Sequence, residues 1–252
     1  MSSKERFEFT KENIDTYLKE LAREYRKRSG KGTPAELILI GGASVLINYG
    51  FRNMTTDIDA MILASSAMKD AIGIVGDRYG LPHGWLNSDF SKTDSYSDKL
   101  SQFSVFYKTY SNTVTIRTVA AEYLIAMKLR SGRQYKSDLS DILGILAEHK
   151  KHGNPVSMEQ IRKATIDLYG SWQSLPESSQ AFIENVMNDG RFDVLYEQTA
   201  SGEDETKELL IRFEHDNPGV TTSSNVDEIA ESLQKKADQA SILAMLRKKK
   251  QS

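Results

Sequence analysis

Residues 41–59 read GGASVLINYGFRNMTTDID. An apolar run, Leu37 to Ile40, leads into Gly41-Gly42, and a short helix-compatible segment, Ala43 to Tyr49, follows. Asp57-Ile58-Asp59 then opens a second apolar run, Ala60 to Leu63. In a strand, residues i and i+2 point to one face, so the Asp57 and Asp59 carboxylates are expected side by side. Two such groups repel unless a cation lies between them, and hard oxygen ligands suit Mg²⁺ (or Mn²⁺) holding a substrate phosphate. The glycine pair allows backbone to approach a phosphate closely, and the helix start beyond it offers free N–H groups and a positive dipole end. Together these features predict metal-dependent phosphoryl or nucleotidyl transfer.

Around this stretch the chain is of ordinary composition. Its 252 residues are 39% hydrophobic and 27% charged, with a net charge of −2, enough for one large domain or two smaller ones. The first 150 residues are mildly basic and the rest acidic, compatible with a polyanionic substrate without requiring one. With no cysteine, disulfides, thiolate nucleophiles and cysteine-based zinc sites are excluded. No apolar run reaches the length of a membrane span, and MSSKERFEFT lacks the apolar centre of a secretory leader, so the expected location is cytoplasmic. Among the histidines, only His149 and His152 have ligand-like spacing, and a wet helix end accounts for them.

The pattern along the chain predicts an α+β fold, a mixed sheet flanked by helices. Thr10 caps a helix to about Arg28, with Ile14, Leu18, Leu21 and Tyr25 on its apolar stripe and Ser29-Gly30 as its end. Its outer face carries Arg23, Arg26, Lys27 and Arg28, followed by Lys31, which reads as a solvated face or an RNA-backbone contact. Leu37 to Ile40 and Asp57 to Leu63 are strands, Ser66 to Tyr79 a helix stopped by Gly80, and 81–101 a polar, mobile loop. Phe103 to Tyr107 and Thr113 to Thr118 form a hairpin, followed by helices over Glu122 to Ser131 and from Ser137 to about Lys150. Gly153-Asn154-Pro155 divides this first region, 1–152, from a helical second region, 153–252. The second region has helices after Ser157 and Pro176, over Glu203 to Phe213, and from Val226 to a frayed end at Lys248-Lys249-Lys250.

The glycine turn followed by Asp-x-Asp resembles the nucleotidyltransferase fold of the DNA polymerase β superfamily. The GGAS and R-x-x-T-x-DID spacing is similar, more narrowly, to the AbiEii-type toxin family of minimal nucleotidyltransferases. A second block, EYLIAMKLRSGRQYKSDLSDIL at 122–143, carries Lys128, Arg133, Asp138 and Asp141 in the order of that family, and Trp85-Leu86-Asn87 after Leu81-Pro82-His83-Gly84 also matches. The likeness covers roughly residues 35 to 146. It implies transfer of a nucleoside monophosphate from a nucleoside triphosphate to an acceptor hydroxyl. Asp57 and Asp59 would hold the metal, with Gly41, Gly42, Ser44, Arg52, Thr56, Lys128 and Arg133 around the nucleotide and Asp138 and Asp141 in the catalytic set. It also implies tRNA or other RNA as acceptor and a cognate antitoxin as partner.

Each of these residues has a plainer reading. Asp57 and Asp59 could be acids on a strand edge, which leaves the upstream glycine turn unexplained. Ser44 could cap the short helix. The Arg52 guanidinium suits phosphate oxygens but equally a surface pair. Lys128 lies among Leu124, Ile125 and Met127, and a buried lysine without an anion is costly; nucleotide phosphate is the expected anion. Asp138 and Asp141, three apart on a helix, could orient Lys128 or Arg133. Many polymerase β-type enzymes supply a third carboxylate from the next strand; no Asp or Glu occurs between Asp98 and Glu122, where Arg117 stands instead, leaving the general base open. Three functions remain: transfer to RNA, transfer to a small molecule or protein, and nucleotide or partner binding without turnover.

Overall fold

The computed structural model describes residues 7–133, 137–222 and 225–249, with side chains to residue 237. Thr10 precedes α1 (Lys11–Ser29), and its N–H donates to the Asn13 side chain, satisfying a donor the first turn leaves open. There follow β1 (Ala35–Leu39), α2 (Gly41–Asn48), β2 (Ile58–Leu63), α3 (Ala67–Tyr79) and β3 (Leu86–Asn87). The hairpin β4 (Ser104–Tyr110) and β5 (Val114–Val119) turns through Ser111 and Asn112, both with positive φ. Helices α4 (Ala121–Ser131), α5 (Asp138–Lys151), α6 (Met158–Tyr169), α7 (Glu177–Asp189), α8 (Phe192–Asp216) and α9 (Val226–Lys249) complete the chain; Lys250 lies outside the described residues. No helix among the described residues is long and apolar enough to cross a membrane.

The strands form one mixed sheet in the order β3-β2-β1-β5-β4, giving the expected α+β architecture. β1 runs antiparallel to β2 (Ile38 opposite Met61) and parallel to β5 (Leu37 opposite Ile116). Strand parity sorts the core. Leu37, Leu39, Ile58 and Ala60 pack with α1 and α3, whereas Ile38, Ile40 and Val119 pack with α4, α5, α6 and α7. Asp59 shares its parity with Met61, which packs against the second of these clusters, so the proposed metal-binding strand positions look towards α4 and α5. The helices after residue 153 belong to that same cluster through Val156, Ile161, Leu168, Trp172 and Ile183.

Two expectations are corrected here. The 81–101 segment is not a free loop. Leu81, Trp85, Leu86, Phe90 and Leu100 are buried, short 3₁₀ turns occupy Asp89–Lys92 and Asp98–Phe103, and β3 pairs in parallel with β2. Trp85 donates its indole N–H to the Ile72 carbonyl, and a side chain at Gly76 would meet its ring at 3.3 Å. The helix expected at Glu203 starts earlier, at Phe192, because packing against α5 carries it through Gly202 and the weak helix formers before it.

The connection between α2 and β2 is fastened from several sides. Phe9 and Thr55 exchange backbone hydrogen bonds of 2.8 and 2.9 Å. Glu148 of α5 accepts from Gly50 N–H at 2.5 Å and Phe51 N–H at 3.2 Å. The Phe51 ring lies against Gly144 of α5, where an added Cβ would come within 2.6 Å of three ring atoms. Gly144→Ala is therefore expected to cost about 1–3 kcal/mol by displacing Phe51. Gly73→Ala, mid-helix in α3 with nothing within 4 Å of the new carbon, should be neutral or stabilising by up to about 1 kcal/mol. Thermal melts of the two variants check the contrast.

Candidate active site

The first turn of α2 follows β1 directly, and Gly41 enters it with φ of +56°, a backbone that disfavours other residues. A Cβ at Gly41 would lie 3.8 Å from Asp59 Oδ2, so the glycine backbone faces the Asp59 carboxylate. A Cβ at Gly42 would meet Thr55 Oγ1 at 2.6 Å and Arg52 Nη2 at 3.0 Å. The second glycine is what lets the Arg52 guanidinium lie over the start of the helix. Asp57 stands one residue before β2 and Asp59 is the second residue within it. Asp57 and Thr56 are exposed and line a cleft of about 440 Å³ with His83, Gly84, Trp85, Asn87 and Asp89. β3 brings Asn87 opposite Asp59 in register, on the side of β2 away from β1.

Behind Arg52 runs a chain of ion pairs. Arg52 bonds Asp141 through Nη1 and donates through Nε to the Met54 carbonyl at 3.0 Å. Lys128 Nζ lies 2.7 Å from Asp141 Oδ2 and donates to Asp138 Oδ1 at 3.0 Å, and Asp138 Oδ2 accepts from Arg133 Nε at 2.9 Å. The Lys128 side chain is 7% exposed and that of Asp141 3%, while the flanking arginines reach solvent at 19% for Arg52 and 32% for Arg133. Burial would lower the Lys128 pKa, but Asp138 and then Asp141 outweigh it and raise the value. Burial likewise opposes ionisation of Asp138, yet Lys128 and Arg133 hold it at about 2. The protein itself supplies anions beside Lys128, the two aspartates of α5. These carboxylates lie where two cations converge, which a helical i, i+3 spacing arranges on one face.

Ser44 is fully buried in α2, and its hydroxyl has no partner among the described residues. The same holds for Thr118 Oγ1 on β5. Arg117 turns to Ser104, donating to its hydroxyl and its carbonyl at 2.7 Å each. The basic end of α1 is paired internally: Arg23 with Glu20, Lys27 and Arg28 with Glu24, and Arg26 with the Ser111 carbonyl. His149 bonds Tyr49 and Asn154. Among the described residues, no group of three or more His, Cys, Asp or Glu is gathered in metal-binding geometry. Sequence reasoning missed Glu148, Gly144 and Phe51, which fasten the Arg52 loop, and Glu203 of α8, which accepts from the Leu139 and Ser140 N–H groups of α5. Their partners lie far away in the chain, and no local spacing announces them.

A glycine turn against a strand carboxylate, with a guanidinium laid over it, can receive a polyphosphate. Residues 16–167 match the model of the family described as a nucleotidyltransferase of unknown function (DUF6036). The chain belongs to this family. No curated protein and no solved structure matches it. A nucleotidyltransferase must bind a nucleoside triphosphate, and the DUF6036 match covers every site residue discussed above up to α5.

The ion-pair chain makes two measurable predictions. Lys128→Met would leave Asp138 and Asp141 buried with one cation each, and should lower stability by about 3–5 kcal/mol in denaturant titrations. Because the Asp138 pKa is depressed from 3.8 to about 2, its stabilising effect is complete above the ordinary value and lost as pH falls towards 2. Asp138→Asn should flatten that acid limb in melts taken between about pH 4 and 2.

Proposed function

We propose that this DUF6036 protein transfers a nucleoside monophosphate from a triphosphate to an acceptor hydroxyl with the help of Mg²⁺ or Mn²⁺. The observation that carries this reading is the apposition of the Gly41-Gly42 turn and Arg52 to Asp59. The donor set fits a hard divalent ion: Asp57 is exposed, Asp59 adjoins the glycine turn, and two carboxylates leave other coordination positions to phosphate and water. When bound, such an ion neutralises charge on the transferring phosphate and on the departing pyrophosphate. Asp57 and Asp59 hold it, and Gly41 and Gly42 present backbone N–H groups to the phosphates at the start of α2. Arg52 and Arg133, the solvent-reaching ends of the ion-pair chain, meet phosphate oxygens, with Thr56 beside Asp57 and the unpartnered Ser44 hydroxyl completing the cradle. Lys128, Asp138 and Asp141 act from behind, fixing the Arg52 fork. The acceptor oxygen bonds to the α-phosphorus, the bond to the bridging oxygen of the β-phosphate breaks, and the acceptor proton passes to solvent. Positioning and charge compensation supply most of the rate in such chemistry, so no dedicated base is needed.

For the acceptor, the AbiEii-type likeness supports tRNA, with a toxin role opposite an antitoxin. A small-molecule hydroxyl is the second reading, favoured by the roughly 440 Å³ cleft beside Asp57 and by the internal pairing of the basic residues of α1. Incubation with each α-labelled triphosphate, Mg²⁺ and either total RNA or small hydroxyl compounds decides between them; no label transfer to any acceptor refutes the enzymatic reading.

Asp57→Asn and Asp59→Asn should each abolish transfer with folding intact, since removing one of two adjacent like charges relieves repulsion in the metal-free protein. Mg²⁺ should raise the melting temperature of the wild-type protein and do so less in either variant. Equal stabilisation of all three proteins removes the ligand assignment.

A further inference from the structure

Helix α8 touches the site at two places that local sequence does not reveal. Tyr196 donates to the Phe51 carbonyl at 3.3 Å and packs edge-on against the Phe51 ring, the residue before Arg52. One to two turns further on, Glu203 is buried at the first turn of α5. Its Oε1 accepts from Leu139 N–H at 3.0 Å and Ser140 N–H at 3.3 Å, two donors the helix start leaves open, while Oε2 is buried with no hydrogen-bond partner among the described residues. Leu139 and Ser140 lie between Asp138 and Asp141, so whatever fixes those amides fixes both aspartates that hold Lys128 and Arg52.

We propose that Glu203 is a positioning residue for the phosphate side of the site, locking the first turn of α5 and setting the net charge of the ion-pair chain behind Arg52. Through the ion pairs described above, that chain joins three cations, Arg52, Lys128 and Arg133, to two anions, Asp138 and Asp141. An ionised Glu203 adds a negative charge beside them that opposes phosphate; a neutral one does not. Burial first, and then Asp141, push the Glu203 carboxyl up to about 7 against the bonds from Ser140 and Leu139. The charged group acting on it from α5 is Asp141, and Tyr196 of α8 lies near it, itself close to Arg52 and to Asp204 of α8. From α9 the neutral Gln234 bonds Thr206, and Glu231 and Lys235 pair with each other in solvent. Arg162 and Glu184 do the same between α6 and α7.

The direction of the effect follows. Between the ordinary value of 4.5 and about 7, the folded protein keeps a proton that the unfolded chain has released. Stability therefore falls as pH rises through this window, and triphosphate binding, which rests on the function proposed above, weakens as Glu203 becomes negative.

The experiment compares wild type, Glu203→Gln and Glu203→Ala from about pH 5.5 to 8.5, by thermal melting without substrate and by steady-state incorporation of a labelled triphosphate. Wild type should lose melting temperature as pH rises, and its triphosphate KM should increase roughly three- to tenfold, the scale of one unit charge near a binding site, with kcat following the same profile in all active forms. Glu203→Gln keeps the acceptor oxygen but cannot ionise, so its melting temperature and KM should both lose the pH dependence while KM stays at the low-pH value. Glu203→Ala should speed hydrogen exchange at Leu139 and Ser140. A Glu203→Gln protein that tracks wild type in melting and KM overturns the proposal. If wild type neither binds nor incorporates any triphosphate, the nucleotide reading fails; the melting comparison then decides Glu203 by itself, a slope retained in Glu203→Gln overturning the positioning role and a slope lost supporting it.

Discussion

A lysine ammonium sealed from water between two helices is tolerable only if anions are sealed in with it, and in this protein that condition organises the site. Lys128 meets Asp138 and Asp141, and each aspartate must in turn find a second cation because one lysine cannot satisfy both. Arg133 and Arg52 fill those places. Arg52 does so from a loop, so the loop between α2 and β2 has to be brought to α5 and kept there. The contacts of Phe51 with Gly144, of Gly50 with Glu148 and of Thr55 with Phe9 are the means. A cluster of this kind contributes little net stability compared with apolar packing, but it is intolerant of a missing partner. That intolerance fixes where the guanidinium sits relative to Gly42 and Asp59.

Much of this arrangement was legible in 41–59 because it depends on short-range rules. Strand parity alone sends Asp59 to the face opposite Ile58 and Ala60, and a glycine pair after a buried strand marks a backbone that something must approach. The first helix, the hairpin at Ser111-Asn112 and the Ser157 capping box also follow from local patterns and appear with nearly the expected bounds. The pairing of Lys128 was legible only as one of two readings. Its apolar neighbours announce burial, and the i, i+3 spacing of Asp138 and Asp141 offers partners besides nucleotide phosphate, but the pairing itself depends on how α4 packs on α5. The 81–101 segment misleads for a related reason: serines and aspartates dominate its composition, and a few anchors, Trp85, Phe90 and Leu100, suffice to bury its backbone. Glu203 and Glu148 are unreadable locally, since each acts on backbone more than 60 positions away.

The glycines show how steric constraint and electrostatics are joined. Gly42 and Gly144 lie at opposite ends of the Arg52 loop, and each is small because an aromatic or guanidinium group occupies the space a methyl would fill. Neither has a positive φ. Their requirement is one of close approach, which distinguishes them from Gly41, where the backbone conformation itself excludes a side chain at low cost. Two of the three glycines therefore serve the placement of one arginine.

The absence of a carboxylate on β5 has a counterpart in this geometry. Arg117 shares the sheet face of Ile38 and Met61 but is engaged by Ser104 and Glu36, and β5 carries no carboxylate. Charge near the site is instead divided between Asp57 and Asp59, at the start of β2, and buried ion pairs on α4 and α5 flanked by the solvent-reaching Arg52 and Arg133. The acidic positions attract a cation and repel a bare polyphosphate, whereas the guanidiniums do the reverse. In the function proposed above, the two demands would be met together by metal and phosphate arriving as a unit. α8 reaches past α5 to the same cluster, and the Glu203 carboxyl at the first turn of α5 adds or withholds one negative charge beside Asp141.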